Sequence, residues 1–171
     1  MVYGQRRFKD GEVIFSEGDR AGEAFLITSG AVRLQKLESG QVHEIDIVGE
    51  GKIFGEMGVL SDMNRMASAV AVGETVLTSC HRTELMRRLD ELDKERRDAI
   101  RFLIAYCQDF LPYELMKDRP ADEETRERDR IAHHLVHDAA KLGFMDGLDS
   151  FMNGLFKVLI HYAERRLPPI S

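Results

Sequence analysis

The sequence predicts a mainly β domain with helices appended: an antiparallel sheet in its first half, then amphipathic α-helices. Three observations predict it. Ala31-Val32-Arg33-Leu34-Gln35-Lys36-Leu37 alternates in polarity, and after the turn Glu38-Ser39-Gly40-Gln41 a second run, Val42 to Val48, follows as the return arm of a hairpin. Short apolar runs upstream end in glycine-bearing turns, the mark of brief strands. Beyond Thr83 the apolar residues recur at helical spacing instead.

Val13-Ile14-Phe15 is the first strand and leads into Ser16-Glu17-Gly18-Asp19. Ala24-Phe25-Leu26-Ile27 is the next, closed by Thr28-Ser29-Gly30. After the hairpin and a glycine-containing segment, Val70 to Ser79 alternates as a closing strand. Thr83 is placed to cap a short helix carrying Leu85, Met86 and Leu89. The charged stretch Asp90 to Asp98 leads into a helix over 99–115, with Ile100, Leu103, Ile104, Cys107, Phe110 and Leu111 in one stripe. That stripe has two fates: packing on the chain's own sheet, or meeting its twin across a dimer axis. Lys117-Asp118-Arg119-Pro120 breaks the helix. The next helix starts at Pro120 with acidic residues in its first turn, runs to Leu142 with Ile131, Leu135, Val136 and Ala139 on one face, and stops at Gly143. A last helix from about Leu148 carries Phe151, Met152, Leu155, Phe156, Leu159 and Tyr162 and ends before Pro168-Pro169. The predicted organisation is a first part over 1–115 and a helical hairpin over 116–171.

The most informative stretch is Phe54 to Val70, FGEMGVLSDMNRMASAV. Gly55 and Gly58 carry no Cβ, so the backbone can come close to a bound group. A short helix beginning near Glu56 would aim free N–H groups and its positive end at an anion. Arg65 adds a guanidinium fork that matches phosphate oxygens. Glu56 would repel a phosphate, so its presence implies a second polar group on the ligand, such as a sugar hydroxyl. A phosphate and a ribose on one small ligand spell a nucleotide.

These residues resemble the phosphate-binding cassette of cyclic nucleotide-binding domains, found in the catabolite activator family, in regulatory subunits of cyclic-AMP-dependent protein kinase and in cyclic-nucleotide-gated channels. Phe54, Gly55, Glu56, Met57, Gly58, Val59, Arg65, Ala67 and Ser68 fall on the cassette pattern, and Met66 follows the arginine. Asn64 stands where proline is common, and Ala69 adds one residue before Val70 relative to some members. The resemblance covers about residues 8 to 110 and implies an antiparallel, jelly-roll-like β-roll. It implies that Arg65 binds the cyclic phosphate, Glu56 the ribose 2′-hydroxyl, and amides near Gly58 and Met66 complete the cradle. It implies a cap over the purine from the 99–115 helix, where Tyr106 and Phe110 are the aromatic candidates, and a homodimer contact through that helix. Met66 offers no hydroxyl to a guanine, so cyclic AMP is the expected ligand ahead of cyclic GMP.

The rest of the chain narrows the reading. The chain has 171 residues, 43% of them hydrophobic, which accommodates one good core with a helical appendage. No apolar run approaches the roughly 18 residues of a membrane span, and Met-Val-Tyr-Gly-Gln-Arg-Arg lacks the apolar core of a signal peptide. A cytoplasmic location is expected. Cys80 and Cys107 read as reduced core thiols, and an iron–sulfur centre would need about four thiolates. His133 and His137 share a helix face without a third ligand, so no metal is expected, and neither His43 nor His81 sits in a haem motif. From Glu91 onward 13 Lys and Arg face 16 Asp and Glu, and Ser150 to Tyr162 offers Lys157 but little else to a phosphate. A DNA-binding helix-turn-helix is therefore not expected, nor is any nucleic acid partner. No nucleophile elbow, paired catalytic carboxylates, P-loop or kinase segment is present, so no enzymatic activity and no prosthetic group are expected. The reading is a cyclic nucleotide receptor whose output is a protein effector. Its alternatives are a ligand-free interaction or dimerisation module of the same fold, with Arg65 and Glu56 as a structural ion pair, and, more distantly, a transcription regulator.

Overall fold

A computed structural model describes residues 3–108, 122–139 and 141–167. The chain divides into two compact units, Met1–Leu89 and Asp90–Ser171.

The first unit is an antiparallel roll. Its strands are β1 (Gly4–Phe8), β2 (Val13–Phe15), β3 (Glu23–Glu38), β4 (Gln41–Gly49), β5 (Ile53–Phe54) and β6 (Ser68–His81), with α1 (Glu56–Leu60) between β5 and β6 and α2 (Arg82–Glu91) after β6. The sheet order is β1-β6-β3-β4, with β2 also pairing β6 and β5 also pairing β3. Two long strands make this possible: β3 has 16 residues and β6 has 14, and their ladder runs from Glu23 opposite His81 to Gln35 opposite Ser68. The core lies between the layers, with Ile14, Phe25, Ile27, Val32, Phe54, Ala69, Ala71 and Leu77 buried together.

Two runs that read as separate strands, 24–27 and 31–37, are one strand. Gly30 joins them at φ 86°, and the register shifts on either side of Ser29. A Cβ at Gly30 would lie 2.5 Å from the Glu74 carbonyl oxygen, so only glycine lets β6 pass this close. Gly30→Ala is expected to cost about 1–3 kcal/mol of stability, seen as an earlier urea-unfolding midpoint. An unchanged midpoint would mean that the bulge has slack.

The predicted hairpin is present as β3–β4, turning on Ser39 (φ 51°) and Gly40 (φ 77°), both left-handed as a two-residue loop requires. Alternation does not bury β4, however. It is an edge strand with a register shift opposite Leu34 and Gln35, and Val42, Ile45 and Ile47 remain exposed. At the end of β6, His81 rather than Thr83 caps α2: its Nδ1 accepts from the Thr83 amide at 3.3 Å.

The second unit is a helical bundle of α3 (Lys94–Gln108), α4 (Glu123–Asp138) and α5 (Ser150–Glu164). Asp122 and Asp149 cap α4 and α5, accepting from the Thr125 and Met152 amides at 2.8 and 2.9 Å. Gly143 has φ 65°, as expected of a helix stop. On α5 the predicted face is buried at Phe151, Met152, Leu155, Phe156 and Leu159. On α4 it is rotated: Ala132, Leu135, Val136 and Ala139 are buried, while Ile131 is exposed.

The sequence placed the boundary after residue 115, whereas the compact units divide between Leu89 and Asp90. The reason is the α3 stripe: Ala99, Ile100, Leu103, Tyr106 and Cys107 are buried and α3 packs on α4 and α5. Within the second unit the stripe is covered by α4 and α5. Tyr106, a candidate purine cover, is fully buried and donates to Asp129 Oδ1 at 2.7 Å, so it is committed to the bundle. Phe110, the 109–115 end of the predicted helix, the break at 117–120 and the prolines at 168–169 lie outside the described residues. Cys80 and Cys107 are buried, and their thiols donate to the His81 and Leu159 carbonyls at 3.7 and 3.8 Å. His133 and His137 stack at 5.3 Å, and among the described residues no group of three or more His, Cys, Asp or Glu side chains is placed to hold a metal ion. No helix of the described residues is long and apolar enough to cross a membrane.

Candidate functional site

The candidate segment folds as β5, a left-handed glycine, a five-residue helix and a return loop into β6. Gly55 is the N-cap of α1 at φ 73°, ψ 2°, and no side chain caps the helix start. The helix is pinned at its far end, where Arg82 Nη1 donates to the Val59 carbonyl at 2.7 Å and lies 3.3 Å from Asp62 Oδ1. All five α1 residues, Glu56 to Leu60, are buried.

The return loop is strapped to the turn after β2. Arg65 N donates to the Asp19 carbonyl at 2.7 Å, Gly18 N donates to the Arg65 carbonyl at 2.8 Å, and Ser68 Oγ accepts from Glu17 N at 2.9 Å. Asn64, in place of the common proline, forms a β-bridge with Arg20. These links fix the backbone on both sides of Arg65.

Arg65 itself is 6% exposed, and its guanidinium is held by three groups. Nη1 donates to the Gly55 carbonyl at 2.6 Å and Nη2 to the Glu23 carbonyl at 2.6 Å. The guanidinium carbon stands 3.9 Å from the Phe15 ring centroid. Nε is buried with no hydrogen-bond acceptor among the described residues. The terminal nitrogens are thus taken up by neutral carbonyls rather than by carboxylates. This arrangement replaces the expected alternative of a structural ion pair with Glu56. Burial pushes the guanidinium below its ordinary pKa, while the charges of Glu23, Glu56 and Asp19 act in the opposite direction. Arginine stays protonated through such shifts. A buried cation whose charge is balanced only at a distance is a receptive place for an anion.

The other candidate residues divide by position. Glu56 is 1% exposed and close enough for its charge to act on Arg65. Phe54 is 2% exposed and belongs to the core, stacked on Phe25 at 5.3 Å. Met57 and Val59 are buried, whereas Met66 is 37% exposed. Gly58 is required by protein packing: a Cβ there would lie 2.6 Å from Ala21 Cβ. At Gly55 a Cβ would lie 2.7 Å from Arg65 Nη1 and 3.2 Å from a Phe15 ring carbon.

A cavity of about 340 Å³ opens on the side of Arg65 lined by Phe15, Phe25, Glu23, Arg6, Arg20 and His81, among others. Of the ten candidate residues, Arg65 is the one among the described residues that lines it. The sequence missed Phe15 and the Glu23 carbonyl as parts of the site. Nothing local marks them, because they reach Arg65 through strand pairing from 50 and 42 positions away.

Comparison with known proteins places the chain in a family. The family model of the cyclic nucleotide-binding domain matches residues 5–91. The chain belongs to the cyclic nucleotide-binding domain family. The cyclic AMP receptor protein of Thermus thermophilus is 41% identical over 94 residues, 52% of this chain and 44% of that protein. The cAMP-dependent protein kinase regulatory subunit of Mycosarcoma maydis is 31% identical over 41% of this chain and 13% of its own length. The chain thus spans less than half the length of these relatives. Among solved structures, the EAL enzyme Bd1971 in its cAMP-bound form superposes with a TM-score of 0.54 at 28% identity, over 67% of this chain and 31% of that one. Its cGMP-bound form superposes equally well, at 29% identity over 60% and 27%.

Proposed function

We propose that this chain is a receptor module for a cyclic nucleotide, cyclic AMP ahead of cyclic GMP, that reports occupancy to a protein partner. The observation that carries the reading is the seat of Arg65. Two carbonyls and an aromatic ring hold a buried guanidinium, and its Nε–H has no acceptor among the described residues. A buried donor in that state is costly unless something accepts from it. A cyclic phosphate supplies an acceptor oxygen and the missing negative charge together. Glu56, two residues after β5 and beside Arg65, accepts from the ribose 2′-hydroxyl. The preference for cyclic AMP rests on Met66, which offers a guanine no hydroxyl, and accords with the name of the Thermus relative.

Signalling follows as a population shift. Ligand that binds one arrangement of the cassette better draws the equilibrium toward it, and the change is passed to the helices that follow in the chain. Its size is bounded by the ligand's differential affinity for the two states. The proposed output is a protein effector, with a homodimer as its working form, in the cytoplasm and without catalysis.

Calorimetric titration of the wild-type chain with cyclic AMP and cyclic GMP tests the reading. Micromolar or tighter binding, with cyclic AMP ahead, is expected. No heat with either nucleotide, from folded and ligand-free protein, would leave a ligand-free interaction module. The Glu56 assignment has its own test. Glu56→Ala is expected to weaken cyclic AMP by about 10- to 150-fold, the cost of a hydrogen bond to a charged group, and to leave the affinity for 2′-deoxy cyclic AMP nearly unchanged. Equal losses for both nucleotides would remove Glu56 from the ribose.

A further inference from the structure

We infer that Phe15 is a positioning residue for the anion site: its ring forms the platform that aims Arg65 at the ligand. The inference deepens the cyclic nucleotide reading and rests on it. Arg65 lies with its guanidinium carbon 3.9 Å from the Phe15 centroid, a stacking distance, whereas Phe25 stands farther off at 5.7 Å. Phe15 is itself braced, at 6.0 Å from the Phe25 ring and 5.9 Å from Phe54. Phe54 leads directly into Gly55, whose carbonyl takes Nη1. One aromatic cluster therefore supports both the platform and a carbonyl partner.

A guanidinium is planar, so two in-plane hydrogen bonds and one face contact fix all of its rotations. The carbonyls of Gly55 and Glu23 occupy the terminal nitrogens, and Phe15 occupies a face. The Nε–H, which has no acceptor among the described residues, is thereby held in one direction before any ligand arrives. Preorganisation of this kind spares the ordering cost of a flexible side chain on binding. An aliphatic side chain at position 15 would fill space but offer no π face, and the guanidinium would be free to tilt. Phe15 also lines the cavity beside Arg65, so affinity is read together with the order of the Arg65 Nε–H.

The test compares wild type with Phe15→Leu, Phe15→Met and Phe15→Tyr, each checked for cooperative unfolding. Two readouts are taken: NMR exchange of the Arg65 Nε–H in ligand-free protein, and calorimetric affinity for cyclic AMP. Phe15→Leu and Phe15→Met are expected to speed the exchange and to weaken binding by about 3- to 30-fold, the size of a guanidinium–ring contact. Phe15→Tyr keeps the ring and retains both values. In an Arg65→Ala background the loss of the ring is expected to cost nothing further. Should exchange stay slow in the Leu and Met variants, or affinity stay unchanged, the positioning role is overturned. Wild-type protein that binds no cyclic nucleotide overturns the proposed function, and the exchange measurement alone then decides whether Phe15 orders Arg65.

Discussion

Arg65→Ala is expected to weaken cyclic nucleotide binding about 30- to 1,000-fold, or about 2–4 kcal/mol, the usual loss when one member of a desolvated charge contact is truncated. The loss is large because the guanidinium is buried at 6% exposure and its charge is not spent on a carboxylate hydrogen bond. The same substitution strips donors from the Gly55 and Glu23 carbonyls, so a fall in stability is expected as well. Arg65→Lys separates the two effects. Lysine keeps the charge but cannot bridge two carbonyls while lying flat on Phe15, so it is expected to recover only part of the affinity. Titration calorimetry beside thermal unfolding reads both quantities. Arg65→Ala that folds and binds as tightly as wild type would exclude Arg65 from the phosphate contact.

Gly55→Ala is the second large effect, and it acts on the same guanidinium from the other side. Position 55 has φ 73°, where an L side chain costs about 1–3 kcal/mol. The added methyl would lie 2.7 Å from Nη1 and 3.2 Å from the Phe15 ring, so Arg65 must leave its seat. Gly51→Ala provides the internal control. Gly51 has φ 78°, and a Cβ there meets nothing within 4 Å. Both variants therefore bear the left-handed cost, and only Gly55→Ala displaces Arg65. Both variants are expected to lose stability, Gly55→Ala the more, with a fall in affinity of about 30-fold or more confined to Gly55→Ala, comparable to truncating the contact itself. If both variants bind alike, the Cβ clash is relieved without moving the arginine, and Gly55 matters for its turn alone.

Much of the fold was legible because its signals are local. The 31–48 hairpin announces itself by alternation around Ser39-Gly40, and both turn residues adopt the left-handed conformation that this loop length needs. The last two helices were legible from their apolar periodicity, but not their caps: Asp122 read as part of the first turn, and Asp149 as already inside a helix starting near Leu148. The misreadings have one cause: a pattern shows that a face is apolar and not what covers it. The run 42–48 reads as the return arm of a hairpin, and its edge position leaves Ile45 and Ile47 exposed. The α3 stripe is apolar in the sequence, and the structure shows α4 and α5 covering it within the second unit. Gly30 read as the end of a strand, and the close passage of Glu74 makes it a bulge within one.

The candidate site divides in the same way. From the sequence came the chemistry: a left-handed glycine, a carboxylate, an arginine and the spacing that binds them into one cassette. The tertiary structure decided what each group is free to do. Antiparallel pairing of β3 with β5, and of β2 with β6, brings Glu23 and Phe15 to Arg65. There they take up two donors and one face of its guanidinium and leave Nε unspent. Residue types and their spacing are set by the chain itself. Which hydrogen bonds are already satisfied before a ligand comes depends on neighbours that only folding supplies.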